Sequence, residues 1–166
     1  MQRVAILVDV QNVYYTTRQA FGRHFDYNAF WAQASAGREV VAAHAYAVDR
    51  GDDKQRQFQN ILRAIGFEVK LKPYIQRRDG SAKGDWDVGI ALDAIELAER
   101  VDRLVLVSGD GDFALLVQRV GQRFAVPVEV YGVARLSAEA LVRAASPFIA
   151  IDAPLLLAAR PAQPSR

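Results

Sequence analysis

Short runs of apolar, β-branched residues alternate along the chain with longer stretches of helical periodicity. Val4 to Val8 reads V-A-I-L-V, without a polar position, and predicts a strand buried on both faces. Val40 to Val48 predicts a second strand of mixed patterning. Phe67 to Pro73 (F-E-V-K-L-K-P) alternates, as a strand near the sheet edge with one wet face would. Leu104 to Val107 and Val126 to Tyr131 are apolar and β-branched, hence central or nearly so. The segments between them start with helix-capping residues. Asn12 is the expected cap of a helix from Val13 towards Gly22, Asp26 of one through Ala36, and Asp52 or Asp53 of one ending at Gly66. Asp85 would cap a long helix from Trp86 to Val101, whose Val88, Leu92, Ile95 and Ala98 or Glu99 are the expected apolar stripe. Phe113 to Phe124 and Ala138 to Ala145 complete the set. This alternation predicts an α/β fold, a three-layer α/β/α sandwich around a parallel five-stranded sheet of order 3-2-1-4-5.

Two stretches fall outside the alternation. Ile75 to Gly84 (I-Q-R-R-D-G-S-A-K-G) reads as one long polar loop, of the kind that carries function more often than packing. Residues 153–166, rich in Pro and Ala, read as a flexible tail behind a single domain over residues 1–152. At 166 residues, half of them hydrophobic, the chain can bury a full core without staples. It has no cysteine, which excludes disulfide scaffolds, thiolate metal sites and cysteine nucleophiles. The first apolar run is too short and too early for a signal peptide or membrane span, so a cytoplasmic protein without membrane association is expected.

The net charge of +2 indicates no partner by itself, but its distribution is uneven. Arg50 to Lys83 holds nine basic residues against four acidic ones, a balance of +5, while Asp85 to Asp112 holds eight acids against two bases, a balance of −6. Two solvated faces would explain this, as would an acidic metal centre beside a basic groove, the pairing that hydrolysis of a polyanion requires.

In an open α/β sheet, ligands bind beyond the C-terminal strand ends where the winding reverses. Asp9 ends the first strand; Ser108, Asp110 and Asp112 follow the fourth in L-V-L-V-S-G-D-G-D-F; Asp87 opens a helix aimed at the same crevice. Each has an ordinary explanation: Asp110 or Asp112 as a helix cap, Asp87 as a first-turn acid, Asn12 as a cap. Asp9 is harder to dismiss, because a desolvated carboxylate ending an apolar strand, with no helix expected at the next residue, needs a cation or several donors. Four acids in one crevice would repel each other unless a divalent cation neutralised them. Hard oxygen donors, without cysteine and with only His24 and His44 available, favour Mg²⁺ or Mn²⁺ over Zn²⁺.

These residues carry a family resemblance from about Val4 to Ile151. V-A-I-L-V-D-V-Q-N-V-Y-Y at the start, K-G-D-W-D-V-G-I-A-L-D-A from Lys83, V-L-V-S-G-D-G-D-F from Val105 and V-E-V-Y-G from Val128 together resemble the NYN domain, in its LabA-like branch, of the PIN-like ribonuclease superfamily. The resemblance implies a PIN-like fold and hydrolysis of RNA phosphodiesters, leaving a 5′-phosphate and a 3′-hydroxyl. It places Asp9, Asp87, Asp110 and Asp112 at the metal-binding, catalytic acidic positions, with Asn12 and Ser108 in support. Val10 stands where many NYN domains carry Gly. The extra helical acid of many PIN domains has only Asp93 as a substitute here, and six residues of helix set Asp93 about 120° around the axis from Asp87.

Arg77, Arg78 and Lys83 are the expected grips on a single-stranded RNA backbone, and Trp86 is a candidate for base stacking, with Tyr14 and Tyr15 as weaker ones. His24 in a polar turn and His44 within an apolar strand are not expected to be ligands. No Lys-Ser/Thr follows Gly109 and Gly111, which excludes a P-loop, and V-Q-N after Asp9 disfavours an aspartyl-nucleophile phosphatase. The alternatives are a catalytically weak RNA- or protein-binding regulatory module and, behind it, a small-molecule phosphohydrolase; homo-oligomerisation is left open.

Overall fold

The computed structural model describes residues 1–73, 75–76, 82–83 and 85–159. Its centre is β1 (Gln2–Asp9), in which Val4 through Val8 are buried. Alternate side chains of a strand point to opposite faces, so Val4, Ile6 and Val8 enter one core and Ala5 and Leu7 the other. On the first face pack α1 (Val10–Phe21), α2 (Tyr27–Ser35) and, beyond β2 (Arg38–Asp49), α3 (Asp53–Ile65), through Val13, Phe30, Ala34 and Leu62. After β3 (Glu68–Pro73) the chain crosses to the second face, where α4 (Asp87–Ala98), α5 (Phe113–Phe124) and α6 (Glu139–Ala144) cover Ala5, Leu7, Leu104, Leu106 and Val130.

The sheet is parallel throughout, but it has six strands. With β6 (Arg103–Val107), β7 (Val128–Gly132) and β8 (Phe148–Ala150), its order is β3-β2-β1-β6-β7-β8, one strand more than expected. The addition is β8, three residues paired with β7 from Val130↔Phe148 to Gly132↔Ala150 and too short to register as a periodic run. The expected edge strand is at the edge, and β1 lies between β2 and β6. The first crossovers run outward on one side of β1 and the later ones on the other. The winding therefore reverses between the C-terminal ends of β1 and β6.

Other boundaries also differ. The stretch read as one polar loop contains a two-stranded antiparallel hairpin, β4 (Ile75–Gln76) with β5 (Ala82–Lys83). Helix α1 begins at Val10, immediately after Asp9, so Asp9 and not Asn12 is its cap. Helix α4 starts at Asp87 behind Trp86 and ends at Ala98. Most of the expected apolar stripe is exposed: Val88, Leu92 and Ile95 are 71%, 58% and 39% accessible, and of its members only Ala98 is buried, together with Ile90, Ala94 and Leu97. Both stripes repeat at helical spacing, and the small side chains of Ala94 and Ala98 let the helix lie close to the sheet.

Of the tail expected from residue 153, the first part docks. A short 3-10 turn, Ala153–Leu155, puts Leu155 and Leu156 into the first core, and the Leu157 amide donates to the His24 carbonyl at 2.8 Å. Residues 160–166 lie outside the described residues. Among the described residues no helix is long and apolar enough to cross a membrane.

Candidate metal centre

Asp9 ends β1 and is 7% exposed. Its carboxylate accepts from the Asn12 amide at 3.4 Å and from Ser108 Oγ, at the end of β6, at 3.1 Å. Burial pushes its pKa up to about 6, the Ser108 and Asn12 bonds hold it down in part, and the charges of Asp110 and Asp85 add to the rise. The need for donors anticipated from the sequence is thus met only in part.

The loop after β6 is tied to the start of α1. Asn12 Oδ1 accepts from the Gly109 amide at 2.9 Å, Ser108 Oγ from the Asp110 amide at 3.2 Å, and Asp110 Oδ1 from the Asp112 amide at 2.9 Å. Asn12 and Ser108 therefore hold the β1 and β6 ends together rather than pointing their polarity outward. On the other side the loop is pressed by the segment after β7: a Cβ on Gly109 would lie 2.8 Å from Ser137 Oγ, and one on Gly111 2.8 Å from Ala138 Cβ. Asp112 stands at the cap position of α5 but makes no capping bond, which leaves its carboxylate for other duty.

Asp87, in the first turn of α4, faces this loop. One carboxylate oxygen each from Asp87, Asp110 and Asp112 lie within 4.8 Å of one another. Partial burial, a hydrogen bond shared with Asp110, and the charges of Asp110, Asp85 and Asp9 push the Asp87 pKa up to about 7. Asp9, Gln11, Asn12, Tyr15, Asp85, Asp87 and Asp110 line one shallow cleft of about 210 Å³. Burial first, and neighbouring carboxylates after it, raise the pKa of Asp9 and of Asp87; a cation relieves both conditions, and the donor set, all oxygen, suits a hard divalent ion.

The structure brings Asp9, Asp87, Asp110 and Asp112 to one end of the sheet, with Asn12 in the same cleft and Ser108 buried behind. Asp93 is elsewhere. It accepts from the Tyr46 hydroxyl at 2.7 Å and Lys70 Nζ at 2.8 Å, with His44 Nδ1 at 3.4 Å, so it joins α4 to β2 and β3. His44 is occupied in that network, and His24 stacks on Tyr14 at 5.7 Å. Trp86 is held in packing: its indole N–H donates to the Ala47 carbonyl at 2.8 Å, its ring lies 5.3 Å from that of Tyr46, and Lys72 Nζ sits 4.6 Å from its centroid. Arg77 and Arg78 lie outside the described residues, and Lys83 stands in β5. Sequence reasoning missed Asp85 as a cleft residue. It was assigned to capping, and its Oδ1 does accept from the Asp87 amide at 3.1 Å; the D-W-D spacing was the available signal. Gln11 was missed because the start of α1 was placed three residues late.

Comparison with known proteins identifies the family. The NYN domain family matches residues 3–152. "Low amplitude and bright protein LabA" of Synechococcus elongatus is 30% identical over 126 residues, 70% of this chain and 66% of that protein, so the match spans just under two thirds of the relative. A crystal structure of a protein of unknown function from Vibrio parahaemolyticus superposes with a TM-score of 0.90 at 63% identity, covering 94% of this chain and 96% of the other. The chain belongs to the NYN domain family, and its likeness to LabA places it in the LabA-like branch.

Proposed function

We propose that the chain is a metal-dependent ribonuclease acting on single-stranded RNA. The observation that carries this reading is the gathering of Asp9, Asp87, Asp110 and Asp112 at the point where the sheet reverses its winding. Asp87, Asp110 and Asp112 would hold a Mg²⁺ or Mn²⁺ ion, with Asp9 as a further ligand or the ligand of a second ion. Such an ion, when bound, supplies an activated water at neutral pH and neutralises charge on the phosphodiester.

The chain's own residues do the positioning. Ser108 and Asn12 fix the Asp9 carboxylate and the Gly109–Asp110 backbone with respect to each other, so that ligands from β1 and β6 keep one spacing. The cleft is shallow and open, which suits a polymer that enters from the side. Lys83, Arg77 and Arg78 would hold the strand through its phosphates, supplying the positive charge that the acidic cleft lacks.

The test is hydrolysis of a 5′-labelled single-stranded RNA with Mn²⁺, Mg²⁺ or EDTA. Metal-dependent cleavage leaving 5′-phosphate ends is expected, reduced about 100-fold or more in Asp110→Asn and in Asp9→Asn. No turnover with any divalent ion would replace this reading with that of a binding module, and turnover by both variants equal to that of the wild type would remove the carboxylates from catalysis.

A further inference from the structure

Tyr14 and Tyr15 stand exposed on α1, at 41% and 48% accessibility. An exposed phenol ring on a helix adds little to the core. Tyr15 also lines the acidic cleft, beside Gln11 and Asn12. It makes no hydrogen bond among the described residues, and its one ring partner there is Tyr14, which meets it edge-on at 5.4 Å and 77°. Tyr14 is itself braced: the His24 ring stacks on it at 5.7 Å and 20°, and Arg18, one turn later, donates to its hydroxyl at 3.4 Å with the guanidinium 6.0 Å from the ring centroid. The result is an aromatic surface set in place before any ligand arrives, one helical turn from Gln11 and at the edge of the carboxylates.

Charge along α1 indicates what would lie on it. The helix is capped by Asp9, in the anionic cleft, and its last turns lie beside Arg18 and Arg135, the latter donating to the carbonyls of Gln19 and Ala20 at 3.5 and 3.3 Å. A ligand following the helix meets a carboxylate cluster, then an aromatic ring, then positive charge. A phosphodiester on the cation, its base on the ring and the next phosphate near the arginines match that order. Stacking is indifferent to the negative field of the cleft, so it can hold a polyanion where simple charge attraction cannot.

We infer that Tyr15 is a stacking platform for one unpaired nucleobase of a single strand whose phosphodiester lies at the acidic cleft, and that Tyr14 is its positioning residue. The inference rests on the nuclease reading for the direction of the strand, but not for the stacking itself. A base within a duplex has its faces covered, so the platform selects single strands or frayed ends.

Affinity of the full chain for a fluorescent 10-residue oligouridine, measured with Ca²⁺ in place of Mg²⁺, tests it. Tyr15→Ala is expected to weaken binding roughly 5- to 100-fold, Tyr15→Phe less than about 2-fold, and Tyr14→Ala by an intermediate factor. An abasic nucleotide moved along the strand should weaken the wild type at one position only, with no further loss in Tyr15→Ala, a non-additivity that a merely structural role would not give. Unchanged affinity in Tyr15→Ala, equal losses in Tyr15→Phe and Tyr15→Ala, or additive losses at every abasic position would overturn the inference. Tyr15-dependent binding without cleavage under Mn²⁺ would sink the nuclease reading alone, whereas cleavage and binding untouched by Tyr15→Ala would sink the platform alone.

Discussion

Single side chains at the cleft are balanced between fold and chemistry, and Asp9 shows it most directly. Its pKa, raised to about 6 from 3.8, means that the folded protein holds this proton more tightly than the unfolded chain does. The contribution of Asp9 to stability without metal therefore falls as pH rises from 3.8 to about 6 and stays reduced above that. Asp9→Asn removes the charge at little change in volume, so in EDTA at pH 7.5 it should raise Tm by about 3–8 °C. The advantage should shrink below pH 6 and vanish towards pH 3.8. Calorimetry of the two proteins across that range checks the sign, and a variant less stable than wild type at pH 7.5 would show that the bonds to Ser108 and Asn12 outweigh the burial of charge. From sequence, Asp9 stands out as a carboxylate with no helix after it, whereas α1 starts at the next residue and uses Asp9 as its cap. The carboxylate remains unsettled because it is buried, because the cap bond is long, at 3.4 Å, and because the charges of Asp110 and Asp85 oppose it.

Elements were legible where one periodicity ruled and illegible where two competed. The run V-A-I-L-V has one reading and proved the centre of the sheet. Helix α4 carries two apolar stripes, and choosing between them needs the neighbours, not the period. Its orientation makes a direct prediction: Leu92→Ser on the exposed face should change unfolding free energy in urea by no more than about 0.5 kcal/mol, whereas Ile90→Ala on the buried face should cost about 2–5 kcal/mol. Equal losses would mean that Leu92 is covered in solution. Strand β8 escaped notice since three residues carry no pattern, and β4 and β5 since two-residue strands are set by their pairing alone. Asp9, Asp110 and Asp112 were readable because they end or follow central strands, and Asp87 because it opens a helix, places where topology translates sequence position into spatial position; Asp85 was lost because capping offered it a sufficient role.

At the scale of the molecule, the candidate site spans the join between the two halves of the sheet. Cation binding to the folded form alone must then appear as global stability. Mn²⁺ at about 100 times its dissociation constant should add about 2.7 kcal/mol, or roughly 5–10 °C in Tm, reversed by EDTA and absent in Asp110→Asn; a Tm indifferent to Mn²⁺ would count against the centre. Asp9 and Asn12 reach Ser108 and Gly109 across 99 and 97 positions of sequence. During synthesis the first of these residues leaves the ribosome long before its partners, and none of the local segments emerging in between contains a complete set of ligands. The cleft is therefore absent from a chain grown no further than β6 and from any fragment cut between β1 and β6. Any occupant of the cleft therefore waits for the two halves of the sheet to join, which ties its binding to completion of the fold.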